Sequence, residues 1–210
     1  MQLIDLSHPM RSGQPGYPGD PPFEIEQHDS IAAAGYNLAR ICMGSHSGTH
    51  LDAPHHFFDH SRSVDEIPLE QLFGQARVLR IPRSKGGVID QSDLEVFGDS
   101  ISRESRLIIH TGWGRFYGKD GFFEDYPSLT TAAAHYLAVH HVRLLGMDMP
   151  GPGAEWDKLH KELLRPGVEI VIVESLANLE RVPDEFLFAA FPLRIVGLDG
   201  CPVRAIGIVE

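Results

Sequence analysis

Basic residues are scarce in this chain of 210 residues: 18 Lys and Arg stand against 29 Asp and Glu, a formal net charge of −11. The cations are scattered and form no stripe that could neutralise a phosphate backbone, which argues against a nucleic-acid partner. Cysteine is scarcer still, with Cys42 and Cys201 alone. They lie far apart and outside any C-x-x-C pattern, so neither a zinc knuckle nor a redox pair is indicated. Both sit in apolar, strand-like surroundings, where a free thiol is expected to be buried and unreactive. No apolar run approaches the roughly 20 residues needed to span a bilayer. Met1-Gln2-Leu3-Ile4-Asp5 has no positive start or apolar h-region, so a cytoplasmic protein with no membrane partner is expected. The G-x-G-x-x-G and Walker patterns are missing too, which removes a nucleotide-binding reading.

Histidine is what the chain has in excess, and in one place. Residues 46–56 hold four of the 12 histidines, together with Asp52, interrupted by Gly48 and Pro54. Imidazole and carboxylate are the ligands that zinc, manganese and iron(II) favour, and gathering them without a metal leaves their desolvation uncompensated. His46 and His50 are four apart, as in the helical H-E-x-x-H arrangement. Here, however, no Glu follows His46, and Gly48 and Pro54 oppose a helix. An extended backbone is the alternative. It turns His50 and Asp52 to one face, and Gly48 allows the turn that brings His46 back to the same point. Three protein ligands with an open position describe a catalytic metal site better than a structural one.

A second cluster of interest ends an apolar run. In Glu169-Ile170-Val171-Ile172-Val173-Glu174 the period-two alternation puts Glu174 on the face of Ile170 and Ile172, at the end of a core strand. An ionised carboxylate there needs a partner or a metal, unless it emerges into solvent or pairs with a cation such as Arg181. Asp148 follows another apolar strand and faces the same burial question, as an outer support of the site or as an acceptor for backbone N–H groups. His160 lies on the helix preceding Glu174, but spacing alone does not select it over His140 or His141. His8, His28, His60, His110, His135, His140 and His141 lack ligand spacing and read as surface or satisfied core residues. Tyr17, Phe57, Phe58, Trp113 and Trp156 are candidates to wall a flat substrate, and Gly48 and Thr49 to donate a backbone N–H or a hydroxyl to an oxyanion.

Apolar and β-branched runs bounded by Gly, Pro and Asp predict strands over residues 3–6, 23–27, 38–43, 76–81, 107–111, 144–147, 169–174, 186–191, 194–198 and 203–208. Helices are predicted over 92–97, 130–141 and 156–164, the last stopped by Arg165-Pro166-Gly167. Strands outnumber helices and lie at both ends, which argues against a doubly wound repeat. The fold class expected is α/β, a strand-rich, barrel-like core with a few flanking helices. Its length suits one domain spanning residues 1–210, large enough for a core of its own.

The loop His46-Ser47-Gly48-Thr49-His50-Leu51-Asp52-Ala53-Pro54-His55-His56 matches the pattern H-x-G-T-H-x-D-x-P-x-H at all seven fixed positions. It resembles the cyclase and bacterial kynurenine formamidase family of metal-dependent hydrolases. Asp5-Leu6-Ser7-His8-Pro9 and Tyr17-Pro18-Gly19-Asp20 look like that family's amino-terminal signature, and Glu174-Ser175-Leu176-Ala177-Asn178-Leu179 like its carboxy-terminal one. The resemblance implies a swivelling β/β/α architecture. It implies a first metal held by His46, His50 and Asp52, and a second bridged by Asp52 and held by His160 and Glu174, with His56 as the acid–base residue. Up to two ions per chain, zinc or else manganese or iron, and a homo-oligomer, dimer or tetramer, belong to the same expectation. The activity implied is hydrolysis of a small amide: metal-activated hydroxide attacks the carbonyl carbon, and His56 relays a proton to the leaving nitrogen. Hydrolysis of isatin or a lactone, or cyclisation of an aromatic polyketide, would use the same groups. A non-catalytic metal-binding module would have no use for His56.

Overall fold

The computed structural model describes residues 1–209. Thirteen strands run in chain order as β1 (Gln2–Asp5), β2 (Glu24–Asp29), β3 (Leu38–Cys42), β4 (His50–Asp52), β5 (Phe73–Arg80), β6 (Val88–Ile89), β7 (Arg106–His110), β8 (Ser128–Leu129), β9 (Leu144–Met147), β10 (Val171–Glu174), β11 (Glu185–Ala189), β12 (Gly200–Pro202) and β13 (Ile206–Val209). Nine of them make one mixed sheet in the order β1-β13-β11-β5-β7-β9-β10-β4-β12. The central pairs β5–β7, β7–β9 and β9–β10 are parallel, and the flanking pairs are antiparallel. The sheet curls into a half-barrel. Leu6 donates to Ala205 and accepts from Ala177, and Ser7 bridges Leu176, so the chain leaving β1 returns to the segment leaving β10 on the far side of the sheet.

Alternation along the central strands sends neighbours into two cores. Leu107, Ile109, Ile170 and Ile172 face one cluster, beneath the helices α3 (Gln91–Glu95), α4 (Thr131–Val139) and α5 (Trp156–Leu164). Ile108, Val171 and Val173 face the other, inside the curl, with Leu51, Phe188 and Cys201. Thr130 caps α4, its hydroxyl accepting the Ala133 N–H, which satisfies one of the orphan donors of the first turn.

Three expectations are corrected. Residues 194–198 form no strand: Ile195 and Val196 are exposed, and Gly197 turns with φ +76°. The place beside β4 is taken instead by β12, at residues 200–202, where the pattern predicts no strand. Cys42 is exposed, because β3 pairs only with β2 in a hairpin away from both cores, while Cys201 is buried as expected. The helix expected over 92–97 is Gln91–Glu95, fixed one residue earlier by a reciprocal Asp90/Asp93 capping box.

Candidate metal centre

The β10–β4–β12 register assembles the site. Glu174 sits opposite His50, Ile172 opposite Asp52, and on the other side Gly200 opposite Asp52. His50, Asp52 and Glu174 therefore share one face of the sheet. His46 reaches them because Gly48 turns the chain at φ +68°, in the left-handed region that a residue with a Cβ adopts only at a cost. His160 arrives from α5. The structure thus brings together all five residues expected as metal ligands.

Their contacts converge on Asp52. His46 Nδ1 lies 2.8 Å from Asp52 Oδ1, and His50 Nε2 lies 3.3 Å from the same oxygen and 3.4 Å from Glu174 Oε2. His160 Nε2 is 3.3 Å from Glu174 Oε1 and 3.4 Å from Asp52 Oδ2. The other nitrogens of two rings are fixed from behind. His50 Nδ1 donates to the Gly48 carbonyl at 2.9 Å and His160 Nδ1 to the Trp156 carbonyl at 2.7 Å, which leaves each Nε2 directed at the carboxylates.

Burial opposes a charge on His46, yet Asp52 and Asp199 outweigh it and raise its pKa to about 11. Burial likewise opposes charge on His160, and the neighbouring carboxylates of Asp52 and Glu174 raise it to about 10. His50 is raised for the same reason. Asp52 resists its own desolvation because His46, His160 and His50 surround it, and it stays ionised well below the usual carboxylate range. Even so, Asp52 Oδ2 is buried without a hydrogen-bond partner among the described residues. A buried carboxylate oxygen so placed is a costly orphan, and a cation shared with His160 and Glu174 satisfies it. The donor set of imidazole and carboxylate fits zinc, manganese or iron.

His56 stands in the turn Pro54–His56, its ring centroid 4.0 Å from that of His46. Its Nδ1 is 3.3 Å from Asp199 Oδ2, an oxygen that also lies 2.8 Å from His46 Nε2. Sequence reasoning missed Asp199. The signal available was an isolated Asp before Gly200 in a run read as loop and strand, with no spacing to connect it to residues 153 and 143 positions earlier.

A cavity of about 240 Å³ opens over these groups, with Tyr17, Tyr117, Phe123, Tyr126 and Trp156 among its walls and His46, His50, Asp52, His56, His160 and Glu174 at its base. Of the aromatic candidates, Tyr17 and Trp156 line it. Phe57 instead stacks on His160 at 5.0 Å, Phe58 packs against the core, and Trp113 is buried with its Nε1–H on the Phe122 carbonyl. The Thr49 hydroxyl is not available to an oxyanion: it donates to the Ser175 carbonyl at 2.6 Å and accepts the His8 N–H. Asp148 is a structural acceptor, taking the N–H groups of Thr111 and Gly112 and the Thr111 hydroxyl. Arg181 does not pair with Glu174, which is buried beside His50 and His160.

A half-barrel whose two short inner strands and one helix focus three histidines and two carboxylates beneath a small-molecule cavity defines a class seen in known proteins. Residues 4–154 match the family described as putative cyclase, and the chain belongs to it. It is 34% identical over 207 residues to the kynurenine formamidase of Geobacillus thermodenitrificans (strain NG80-2), covering 96% of this chain and 95% of that one. A solved potential metal-dependent hydrolase with cyclase activity is 27% identical with a TM-score of 0.81, covering 98% of this chain and 96% of that one. Isatin hydrolase A from Labrenzia aggregata, 24% identical, shares the fold with a TM-score of 0.89 over 99% of this chain and 93% of its own.

Proposed function

We propose that this protein is a metal-dependent hydrolase of a small amide, of the kynurenine formamidase (arylformamidase) type. The observation that carries the reading is the orphaned Asp52 oxygen among His46, His50, His160 and Glu174, at the base of an aromatic-walled cavity that also exposes His56. His46, His50 and Asp52 would hold one ion, and Asp52, His160 and Glu174 would hold a second. A bound ion of this kind acidifies water and polarises a carbonyl.

The chain's own groups do the rest. Tyr17, Tyr126 and Trp156 sandwich a planar substrate and exclude bulk water from the reacting carbonyl. Asp52 and Glu174 keep the histidine cluster electrostatically paired while the cavity fills. His56 takes the proton released when water adds to the carbonyl carbon and returns it to the nitrogen as the C–N bond breaks, because an amine leaves poorly unless protonated; such a relay contributes about 10²–10⁴ in rate.

Zinc is the ion proposed, with manganese and iron also suited to the ligands. The protein is proposed to work in the cytoplasm as a homo-oligomer, dimer or tetramer. The β2–β3 hairpin supports this, since it leaves Ile25, Leu38 and Ile41 exposed with nothing of this chain's cores against them. Sedimentation giving only a species of 23.3 kDa would rule the oligomer out.

Metal analysis and paired variants test the site. His50→Ala is expected to lower metal occupancy, and His56→Ala to keep the metal and lose turnover of N-formylkynurenine and aryl formamides. Near-zero metal in protein made with zinc and manganese supplied, or loss of metal from His56→Ala alone, would overturn the assignment. Preference for lactones over N-formylkynurenine, aryl formamides and isatin alike would reject the amide reading while leaving the metal site standing.

A further inference from the structure

One carboxylate oxygen serves two histidines with different tasks. Asp199 Oδ2 lies 2.8 Å from His46 Nε2 and 3.3 Å from His56 Nδ1, and the two rings are themselves in contact. The opposite nitrogen of His46 faces Asp52 at 2.8 Å. For His56, Nδ1 is the only ring nitrogen with a hydrogen bond among the described residues, and the ring lines the cavity.

The position of Asp199 is set by backbone, independently of any ligand. Its carbonyl accepts the Ala53 N–H at 2.9 Å, the Leu198 carbonyl accepts the Val64 N–H, and Gly200 pairs in register with Asp52. The carboxylate is therefore tied to the strand that carries Asp52 and to the turn that carries His56. Gly200 completes the arrangement. A Cβ there would lie 2.5 Å from His46 Cε1, so the ring lies flat against the backbone that presents Asp199.

We propose that Asp199 is a positioning residue that orients His46 as a metal ligand and His56 as a proton carrier through one shared carboxylate. The inference rests on the metal-dependent reading given above and adds to it a residue outside the ligand set. An imidazole that donates one N–H to a carboxylate has its tautomer and ring plane fixed and its other nitrogen made more basic. Asp199 does this to His46 from the Nε2 side, so that Nδ1, which faces Asp52, would be the nitrogen offered to a metal. It does it to His56 from the Nδ1 side, leaving Nε2 as the free lone pair for the relay. The same logic holds the base of a Ser-His-Asp triad in its working tautomer. Both rings donate to the same oxygen, Asp199 Oδ2.

The test compares native protein, Asp199→Ala, Asp199→Asn and Asp199→Glu, with His56→Ala as a reference. Zinc affinity is read by competition with a chromophoric chelator, and histidine tautomers by nitrogen NMR of the zinc-loaded, ¹⁵N-histidine-labelled protein under alkaline conditions. Asp199→Ala is expected to bind zinc about 10–100-fold more weakly at unchanged stoichiometry. It should also release His56 from the Nδ1–H tautomer and lower kcat at least about 100-fold with little change in KM. Asp199→Asn, which keeps the volume and one acceptor oxygen, should retain the fold and the tautomer in part and show an intermediate zinc affinity; Asp199→Glu should recover part of kcat. His56→Ala should keep native zinc affinity. Native tautomer and zinc affinity in Asp199→Ala would overturn the proposal, as would loss of a whole zinc equivalent, which would make Asp199 a ligand. Failure of the native protein itself to bind zinc would refute the metal reading instead, so the two failures separate.

Discussion

Replacing Gly200 by alanine probes the site without touching a functional group. The added Cβ would stand 2.5 Å from His46 Cε1 and 2.9 Å from each ring nitrogen. Ordinary carbon contacts lie at about 3.5–4.0 Å, so the ring must retreat by about 1 Å. Its hydrogen bonds to Asp52 and Asp199 start at 2.8 Å each, and a displacement of that size across the ring plane stretches both and bends them out of line. The strand cannot absorb the strain by sliding, because β12 is in register with β4 and Gly200 lies opposite Asp52. Overpacking of this kind costs about 1–3 kcal/mol, a fall in Tm of about 2–12 °C for a chain of this size. A misdirected ligand costs a further loss of about 10–100-fold in zinc affinity. Gly207→Ala is the control. Its Cβ would meet Val182 at 2.9 Å and Phe186 at 3.1 Å, in a core cluster of apolar side chains that includes none of the metal-site residues, so it should lose comparable stability and keep native zinc affinity. Thermal unfolding of the metal-free proteins and chelator competition make the comparison. Native zinc affinity in Gly200→Ala would refute the claim that His46 is held against this backbone as a ligand.

Asp148→Asn removes the charge from a buried carboxylate that accepts from Thr111 N at 3.0 Å, Thr111 Oγ1 at 2.7 Å and Gly112 N at 2.7 Å. Urea unfolding is expected to show a loss of about 1.5–3 kcal/mol with an unchanged slope, and an unshifted midpoint would sink the structural role. His8 supplies a pH test away from the metal ligands. Burial pushes it down to about 4, its ring stacks on Tyr117 at 3.9 Å, and its Nε2 has no partner among the described residues. The unfolded chain takes up this proton below about 6.5 while the folded one does not until about 4, so stability falls as pH drops through that window and the loss is complete below it. With the ring's partial exposure allowed for, His8→Phe should spare about 1–2 kcal/mol of that decline. Parallel declines in the two proteins, followed by urea midpoints across the window, would contradict the assignment.

Local chemistry made much of the site readable. The residue types from 46 to 56, the glycine between them and the two-residue step from His50 to Asp52 carry their meaning within one stretch of backbone, where spacing converts directly into a shared face. Glu174 was legible for a related reason, since a carboxylate ending an apolar alternating run must find a partner. His160 was reachable by family likeness alone, because helix and strand meet through packing and fourteen residues of separation fix no distance. Residues 194–198 misled for the opposite reason. Their apolar content looked like a strand, yet Pro192 and the turn at Gly197 leave the ladder to Gly200–Pro202.

The sequence by itself determined the kind of protein: strand-rich, acidic, with a histidine and carboxylate loop built for a transition metal. Only the tertiary structure decided how the groups are shared. The curl of the sheet sets β12 beside β4, and that pairing delivers Asp199 to His46 and His56 across more than 140 positions of chain. A contact of that range is fixed by strand register and burial rather than by propensity, and neither is written in the residues next to it.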